Sequence, residues 1–397
     1  MWYNRVSIVL ENDDRAVNFA VNILLAPDKF RGSLTARQVC NAMAEGVLFA
    51  DPTASIVSLP LADGGEGTAQ CLTEATNGTW HTATVSDPLG RPVQAGFGVS
   101  GDSTTAFIEM AQASGLILLA PNERNPLKTN TVGTGELIRI AFDIGIRRVV
   151  LGIGGSATTD AGTGMAAALG WRFLDTDGQQ FTPTGETLVT IAQILPPENQ
   201  TILQSVSIEV ACDVANPLFG TDGAAFMYGP QKGATPETVI RLDAGLRHLA
   251  TLVREQLGFD LADIPGAGAA GGAGFGAMAF LSATLRPGVD LVFETVGFDV
   301  HLANADLVLT GEGKLDEQTL HGKLLAGVCR RAGRVDVPVV AICGTLELEP
   351  TQIQALGLTA AFSILNRPQS LDEAVAGAYQ AVVRATFNAL RLFYTAA

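Results

Sequence analysis

A chain of 397 residues, 47% of them hydrophobic, is long enough for two domains of ordinary size, each with its own core. Aromatic residues make up only 6% while glycines number 44, so the cores must be built from Ala, Val, Leu and Ile, with glycine left for loops. Charged residues are scarce at 16% and the formal net charge is −15, which argues against nucleic acid as a partner and makes the few cations informative about where anions are handled.

Residues 1–21 read as an N-terminal extension, disordered or an artefact of start-codon choice. Their apolar stretch, Val6 to Leu10, is too short for a secretory segment and runs into Glu11, Asp13 and Asp14. The fold starts near Asn22. Ile23 to Ala26 is a short apolar strand stopped by Pro27, and Asp28 to Ser33 is a loop. Thr35 with Gln38 forms a capping box, after which Val39, Met43 and Val47 give the stripe of a helix facing a sheet. The pattern repeats with Ser55 to Leu59 as strand, Asp63 to Gly67 as loop and a helix from Thr68.

Between Trp80 and Glu109 the text alternates polar and apolar residues, and Thr82 to Val85, Asp87 to Gly90 and Val93 to Val99 predict a β-hairpin. Arg147 to Ile153 follows as strand, then a glycine-rich loop, then a helix over Met165 to Leu169. Ile208 to Ala211 is a further strand, ending at Cys212 and Asp213. Gly266 to Gly276 reads as a tight-packing or ligand loop. The last hundred residues return to the first pattern, with a strand over Asp306 to Thr310, the loop Gly311 to Lys314 and a helix over Gln318 to Arg331. Strands over Pro338 to Cys343 and Ala361 to Leu365 and a closing helix over Leu371 to Leu392 complete the chain. Strands alternating with helices imply an α/β fold with parallel sheets covered on both faces.

Four polar, glycine-rich loops each follow a predicted strand at its carboxyl end: Asp28–Ser33, Asp63–Gly67, Gly154–Gly164 and Gly311–Asp316. Open α/β sheets bind ligands there, because helix N-termini and loop N–H groups point outward together. Glycine lets backbone approach a phosphate, carboxylates can hold Mg²⁺ or accept a hydroxyl proton, and Lys29, Arg31 and Lys314 can neutralise phosphoryl oxygens. Each element also has an ordinary explanation: a solvated turn with a salt bridge at Asp28–Arg31, an N-cap acid at Asp63, a loop cation at Lys232 and a strand-end cap at Asp213. Gly152 to Ala157 fits G-x-G-x-x-A and Gly266 to Gly271 fits G-x-G-x-x-G, matches that a chain this rich in Gly and Ala produces readily by chance. A Walker A sequence is absent, so a kinase would need another phosphate cradle. The five cysteines are widely spaced with no C-x-x-C pair and read as free thiols of a reducing, cytoplasmic compartment. The four histidines never fall at metal-ligand spacing, and no run approaches a membrane span. From the residues alone the reading is an α/β enzyme with a phosphate-tolerant site, and phosphoryl transfer suits its acids, cations and glycines.

Seven strings, in order, carry a resemblance. They are Ala26-Pro27-Asp28-Lys29-Phe30-Arg31-Gly32-Ser33-Leu34-Thr35-Ala36; Pro60-Leu61-Ala62-Asp63-Gly64-Gly65-Glu66-Gly67-Thr68; Gly152 through Gly162; Cys212-Asp213-Val214 with Asn216-Pro217-Leu218; Gly229 through Ala234; Gly271 to Gly276; and Thr310 through Asp316. Together the chain from about Asn22 to its end resembles the type 1 glycerate kinase family, the bacterial D-glycerate 2-kinases. Arg31 stands where many members carry Lys, and residues 1–21 have no counterpart.

The resemblance implies ATP- and Mg²⁺-dependent phosphorylation of D-glycerate, usually at the 2-hydroxyl. It implies two α/β domains with the site in the cleft: a Rossmann-like domain built from both chain ends (22–78 with 287–397), and an inserted α/β domain (79–286) containing the hairpin region. Lys29, Arg31 and Lys314 would then bind the substrate carboxylate and the travelling phosphoryl group. Asp213 or Asp160 would orient or deprotonate the hydroxyl, with Asp28 also in the catalytic set. Asp63, Glu66 and Asp316 are the candidates for Mg²⁺. Ser33, Gly64, Gly65, Gly154, Gly155, Ser156, Lys232, Gly311 and Gly313 are the candidates for cradling phosphate or substrate. The alternatives are 3-phosphoglycerate as product, a nicotinamide-dependent oxidoreductase using G-x-G-x-x-A, or a non-catalytic sensor. Neither nucleic acid nor membrane is expected as a partner, and the oligomeric state is left open.

Overall fold

The computed structural model describes residues 21–199, 203, 205–321 and 323–396. The extension expected over residues 1–21 lies, except for Val21, outside the described residues. The chain forms two compact units, one made of the residues up to Asp63 with those from Phe293 onward, the other of Gly64–Val292. No helix among the described residues is long and apolar enough to cross a membrane.

The first unit is built on a five-stranded sheet in the order Ala360–Ser363, Val339–Cys343, Leu307–Thr310, Asn22–Leu25, Ser55–Ser58. Every pairing is parallel. Counted along the unit, the order is 2-1-3-4-5, a doubly wound sheet whose direction of progression reverses between Asn22–Leu25 and Leu307–Thr310. The strand cores are short buried runs, as parallel strands covered on both faces require: Ile23, Leu24, Leu25, Val308, Leu309, Ala341 and Ile342 are all 1% exposed or less.

The helix Ala36–Ala50 begins at the capping box of Thr35 and Gln38, and its Val39, Met43 and Val47 are fully buried. It packs against the C-terminal helix Ala378–Ala396, with Gly46 against Val383 and Thr386. The closing helical region is two pieces, Leu371–Ala376 and Ala378–Ala396, with Gly377 between them, where the sequence pattern predicts one. The helix expected over Gln318 to Arg331 is described over Glu317–His321 and Lys323–Gly333, the one residue between them lying outside the described residues.

The second unit carries a six-stranded mixed sheet, in the order Thr284–Arg286, Ser207–Ala211, Arg148–Gly152, Thr105–Glu109, Pro92–Val99, Thr79–Ser86. Its first four strands are parallel, and the hairpin predicted from alternation forms the antiparallel edge. Thr105–Glu109 joins the two halves. All five of its residues are buried, so it has no alternation to reveal it in the sequence.

Gly266 to Gly276 serves packing. Most of it enters the helix Ala269–Leu281, whose start passes through left-handed backbone at Ala270, Gly271 and Gly272. Those glycines lie against the backbone of Thr158, Thr159 and Ala161, and Ala161 N donates to Gly271 O at 3.1 Å. The glycine face of this helix therefore fixes the loop that follows Arg148–Gly152.

Candidate active site

In a doubly wound sheet the strands' carboxyl ends diverge at the reversal of strand order, leaving room for a ligand. Two of the predicted loops meet there. Asp28 N donates to Gly311 O at 2.8 Å, and Thr310 Oγ1 donates to Ala26 O at 2.8 Å. Gly311 has to be glycine, since a Cβ would collide with the carbonyl oxygen of Ile342. The backbone of Gly313 lies against Phe30 and Arg31.

This contact gathers the charged residues of the first unit. Asp28 is 9% exposed, and its Oδ1 accepts from Lys29 N at 2.7 Å. Burial, reinforced by Asp63 and against the pull of Lys29, pushes its carboxyl up to about 7. Arg31 reaches Asp63 at 3.5 Å, and both side chains are open to solvent. Glu312 lies between the two glycines of its loop and accepts from Thr319 Oγ1 at 2.7 Å. Its carboxyl is also raised, first by burial and then by Asp316 and Asp63, against the Thr319 hydrogen bond and Arg31. Lys314 is paired with Asp316 at 3.2 Å and with Glu347 at 2.8 Å. Ser33 Oγ is enclosed with no hydrogen-bond partner among the described residues.

Sequence reasoning misses Glu312 and Glu347. Glu312 lies inside the Gly-Glu-Gly-Lys string and is visible there. Glu347 comes from the turn after Val339–Cys343, brought beside Lys314 by the parallel pairing of Lys314–Leu315 with Thr345–Leu346. Among the described residues no group of three or more His, Cys, Asp or Glu side chains is gathered closely enough to form a metal cage.

In the second unit the loop after Arg148–Gly152 divides into an exposed and an enclosed part. Gly154 and Gly155 are exposed, and Ser156 is 7% exposed. Leu116 N donates to Gly155 O and Ala157 N donates to Ser114 O, each at 2.9 Å, which pins the loop on one side. Asp160 is wholly buried. Its carboxylate accepts from Thr131 Oγ1 at 2.8 Å, Thr131 N at 2.9 Å, Gly164 N at 3.1 Å and Gly162 N at 3.3 Å. Burial raises its pKa and these donors oppose that.

Lys232 is also enclosed, at 1% exposure, with Nζ 2.9 Å from Ser156 Oγ and 2.5 Å from Thr158 O. The helix after this loop starts only at Thr163, six residues beyond Ala157. The G-x-G-x-x-A match therefore does not open a helix as a dinucleotide-binding turn must.

Asp213 is exposed at the carboxyl end of Ser207–Ala211, and its Oδ1 accepts from Gly288 N at 3.0 Å. The backbone of Gly64 lies beside Gly288 and the Asp213 carboxylate, which brings the Gly64–Gly67 loop to the same end of the sheet; Gly65 is half-buried and Glu66 exposed there. Another residue absent from the sequence reading is Glu109, buried at the end of Thr105–Glu109, whose Oε1 accepts from Ala69 N at 2.9 Å and so holds the first turn of Thr68–Ala75.

A profile of the glycerate kinase family matches residues 23–394. The chain is similar to the glycerate kinase of Halalkalibacterium halodurans, 47% identical over 89% of this chain and 93% of that protein. It is similar to the glycerate 2-kinase of Escherichia coli, 43% identical over 93% of this chain and 97% of that protein. It also superposes on the crystal structure of a provisionally assigned glycerate kinase 2 from Salmonella typhimurium LT2 with a TM-score of 0.88, at 44% identity, covering 95% and 99% of the two chains.

Proposed function

The chain belongs to the glycerate kinase family and is a kinase, and from that premise we propose that it transfers the terminal phosphoryl group of ATP to the 2-hydroxyl of D-glycerate. The observation that carries the mechanism is Asp28. It is a buried carboxyl raised to about 7, at the reversal point of a doubly wound sheet, beside Lys29 and with Arg31 in the same loop. A base works best when its pKa lies near the working pH, and this one is tuned by its surroundings to that range. Asp28 takes the proton of the glycerate hydroxyl as its oxygen attacks the phosphorus. Lys29 and Arg31 neutralise the transferring oxygens, where positioning and charge supply most of the catalysis.

Asp160 is the other acidic candidate within a loop, and its surroundings give it a different part. With no exposure and four protein donors on its carboxylate, it anchors the second unit's loop to Thr131. The backbone of Gly154 to Ser156 then holds an oxyanion of one of the reactants.

The carboxylates fit Mg²⁺ on chemical grounds. Asp63 and Asp316 both raise Glu312, so these hard oxygen donors lie within electrostatic range of one another, although among the described residues they form no closed cage. Mg²⁺ suits such a set, because it binds through one or two carboxylates and completes its shell with phosphates and water. Asp63 and Asp316 would hold it, and the ion would supply neutralisation of phosphate charge. The name of the Escherichia coli relative supports the 2-hydroxyl as acceptor. Free cysteines, four of the five buried, support a reducing compartment such as the cytoplasm.

The test is ADP release by the purified protein. It should require D-glycerate and Mg²⁺ together with ATP. ADP release indifferent to glycerate, or unaffected by chelation of Mg²⁺, would refute the proposal.

A further inference from the structure

Lys232 is a buried cation without a contact ion pair among the described residues. The charged group facing it is Asp160, whose carboxylate is occupied by Thr131, Gly162 and Gly164 rather than by the lysine. The ammonium instead touches Ser156 Oγ and the carbonyl of Thr158. Burying a lysine on two neutral oxygens is costly, so its retention asks for a use beyond packing.

The hydrogen-bond inventory of the loop suggests one. A carbonyl only accepts, so one ammonium proton goes to Thr158. Ser156 Oγ accepts a second, and the serine's own proton must then point elsewhere. Directly beside it the backbone is short of acceptors. Among the described residues the N–H groups of Gly154, Gly155 and Ser156 have no protein partner, although Gly155 O and Ala157 N are both used to pin the loop. Gly155 is in the left-handed region at φ +71°, and nothing stands within 4 Å of a Cβ at Gly154. Successive N–H groups around a left-handed residue form a concavity suited to an anion. Lys232 is 1% exposed, whereas Ser156, whose Oγ its ammonium touches, belongs to that stretch of backbone.

We propose that Lys232 is a positioning residue: by donating to Ser156 Oγ it commits the serine hydroxyl's proton to an oxyanion held on the Gly154–Ser156 amides. This rests on the reading of that loop as an oxyanion cradle. The oxyanion is a carboxylate or a phosphoryl group, and the two kinetic arms below separate them. Burial pushes the Lys232 ammonium down to about 7, with Asp160 opposing the fall. Above that pH a neutral amine offers a lone pair, the serine proton turns inward, and the cradle loses its side-chain donor.

The experiment measures kcat/KM for ATP and for D-glycerate separately from pH 6 to pH 9, on wild type, Ser156→Ala, Lys232→Met and the double variant, with thermal melts alongside. At pH 6.5 each single variant should lose about tenfold in kcat/KM for the same substrate, the effect falling on KM with kcat kept. The double variant should lose no more than either single one. Wild type alone should show a falling limb for that substrate above pH 7. Loss on the ATP arm identifies the oxyanion as phosphoryl, and loss on the glycerate arm as carboxylate.

Multiplying losses in the double variant would overturn the relay, as would a falling limb that survives in Ser156→Ala. If Lys232→Met does not fold, the comparison of wild type with Ser156→Ala across pH still decides. If Ser156→Ala matches wild type for both substrates at every pH, the hydroxyl takes no part and the relay falls, while the amide cradle, which alanine keeps, is untouched. A Ser156→Ala defect that Lys232→Met does not share removes only the relay.

Discussion

Replacing Asp28 with asparagine removes the proposed base while keeping the side chain's size and its place beside Gly311. If Asp28 takes the glycerate proton, kcat should fall by about 10²- to 10⁴-fold. The structure adds a second consequence. The folded pKa of about 7 lies above the ordinary value of 3.8, so the carboxyl is disfavoured in its charged form by folding. Its contribution to stability is full below the unfolded pKa and is lost as pH rises through the folded one, because the unfolded chain ionises first. Carrying the group from 3.8 to about 7 corresponds to at most about 4 kcal/mol, most of it lost between pH 4 and pH 7. The amide of the Asp28→Asn variant has nothing to titrate. The stability of the variant relative to wild type should therefore rise by about 2 to 3 kcal/mol between pH 5 and pH 8, read from urea melts at the two pH values. A variant slow in turnover but more stable at pH 8 is the expected pair of results. A kcat within tenfold of wild type would refute the base assignment, and a stability difference that does not change with pH would refute the burial argument beneath it.

Other substitutions separate anchoring from chemistry. Asp160→Asn places an amide among four donors in a dry site and should cost about 2–4 kcal/mol in a denaturant melt; a loss of activity at unchanged stability would return Asp160 to the catalytic set. Gly311→Ala forces a methyl group onto the Ile342 carbonyl and should destabilise by about 1–3 kcal/mol, so a Tm equal to wild type would contradict the close approach. Lys29→Ala should lower kcat/KM about 10²-fold or more with stability nearly unchanged, and near-normal kinetics would remove that lysine from the scheme.

The first unit could be read from the sequence because its elements announce themselves locally. Pro27 ends an apolar run, Thr35 and Gln38 form a capping box, and Val39, Met43 and Val47 recur at helical spacing. Where local signals conflict with packing, reading fails. Thr105–Glu109 is hidden because a strand buried on both faces has no alternation. The helix Ala269–Leu281 is hidden because its glycines, chosen to lie against Thr158 and Ala161, are poor helix formers by intrinsic propensity.

The site divides in the same way. Its loops are visible as glycine-rich strings after strands, but the state of each side chain depends on partners far along the chain. Nothing in Pro230-Gln231-Lys232-Gly233 tells that Ser156 and Thr158 will enclose the ammonium. Nor does Thr158-Thr159-Asp160 show that Thr131 will occupy the carboxylate. A candidate that looks like a loop cation proves buried, and one that looks like a base proves wholly buried with four donors on its carboxylate. Glu312 escapes notice between two glycines, although burial and the charges of Asp316 and Asp63 set its protonation.

The central claim is that this protein phosphorylates D-glycerate at its 2-hydroxyl. Phosphorus NMR of the purified protein turning over with ATP, Mg²⁺ and D-glycerate tests it most directly. 2-Phosphoglycerate should appear in step with ADP. A spectrum showing 3-phosphoglycerate, or ADP with inorganic phosphate and no phosphoglycerate, would contradict it.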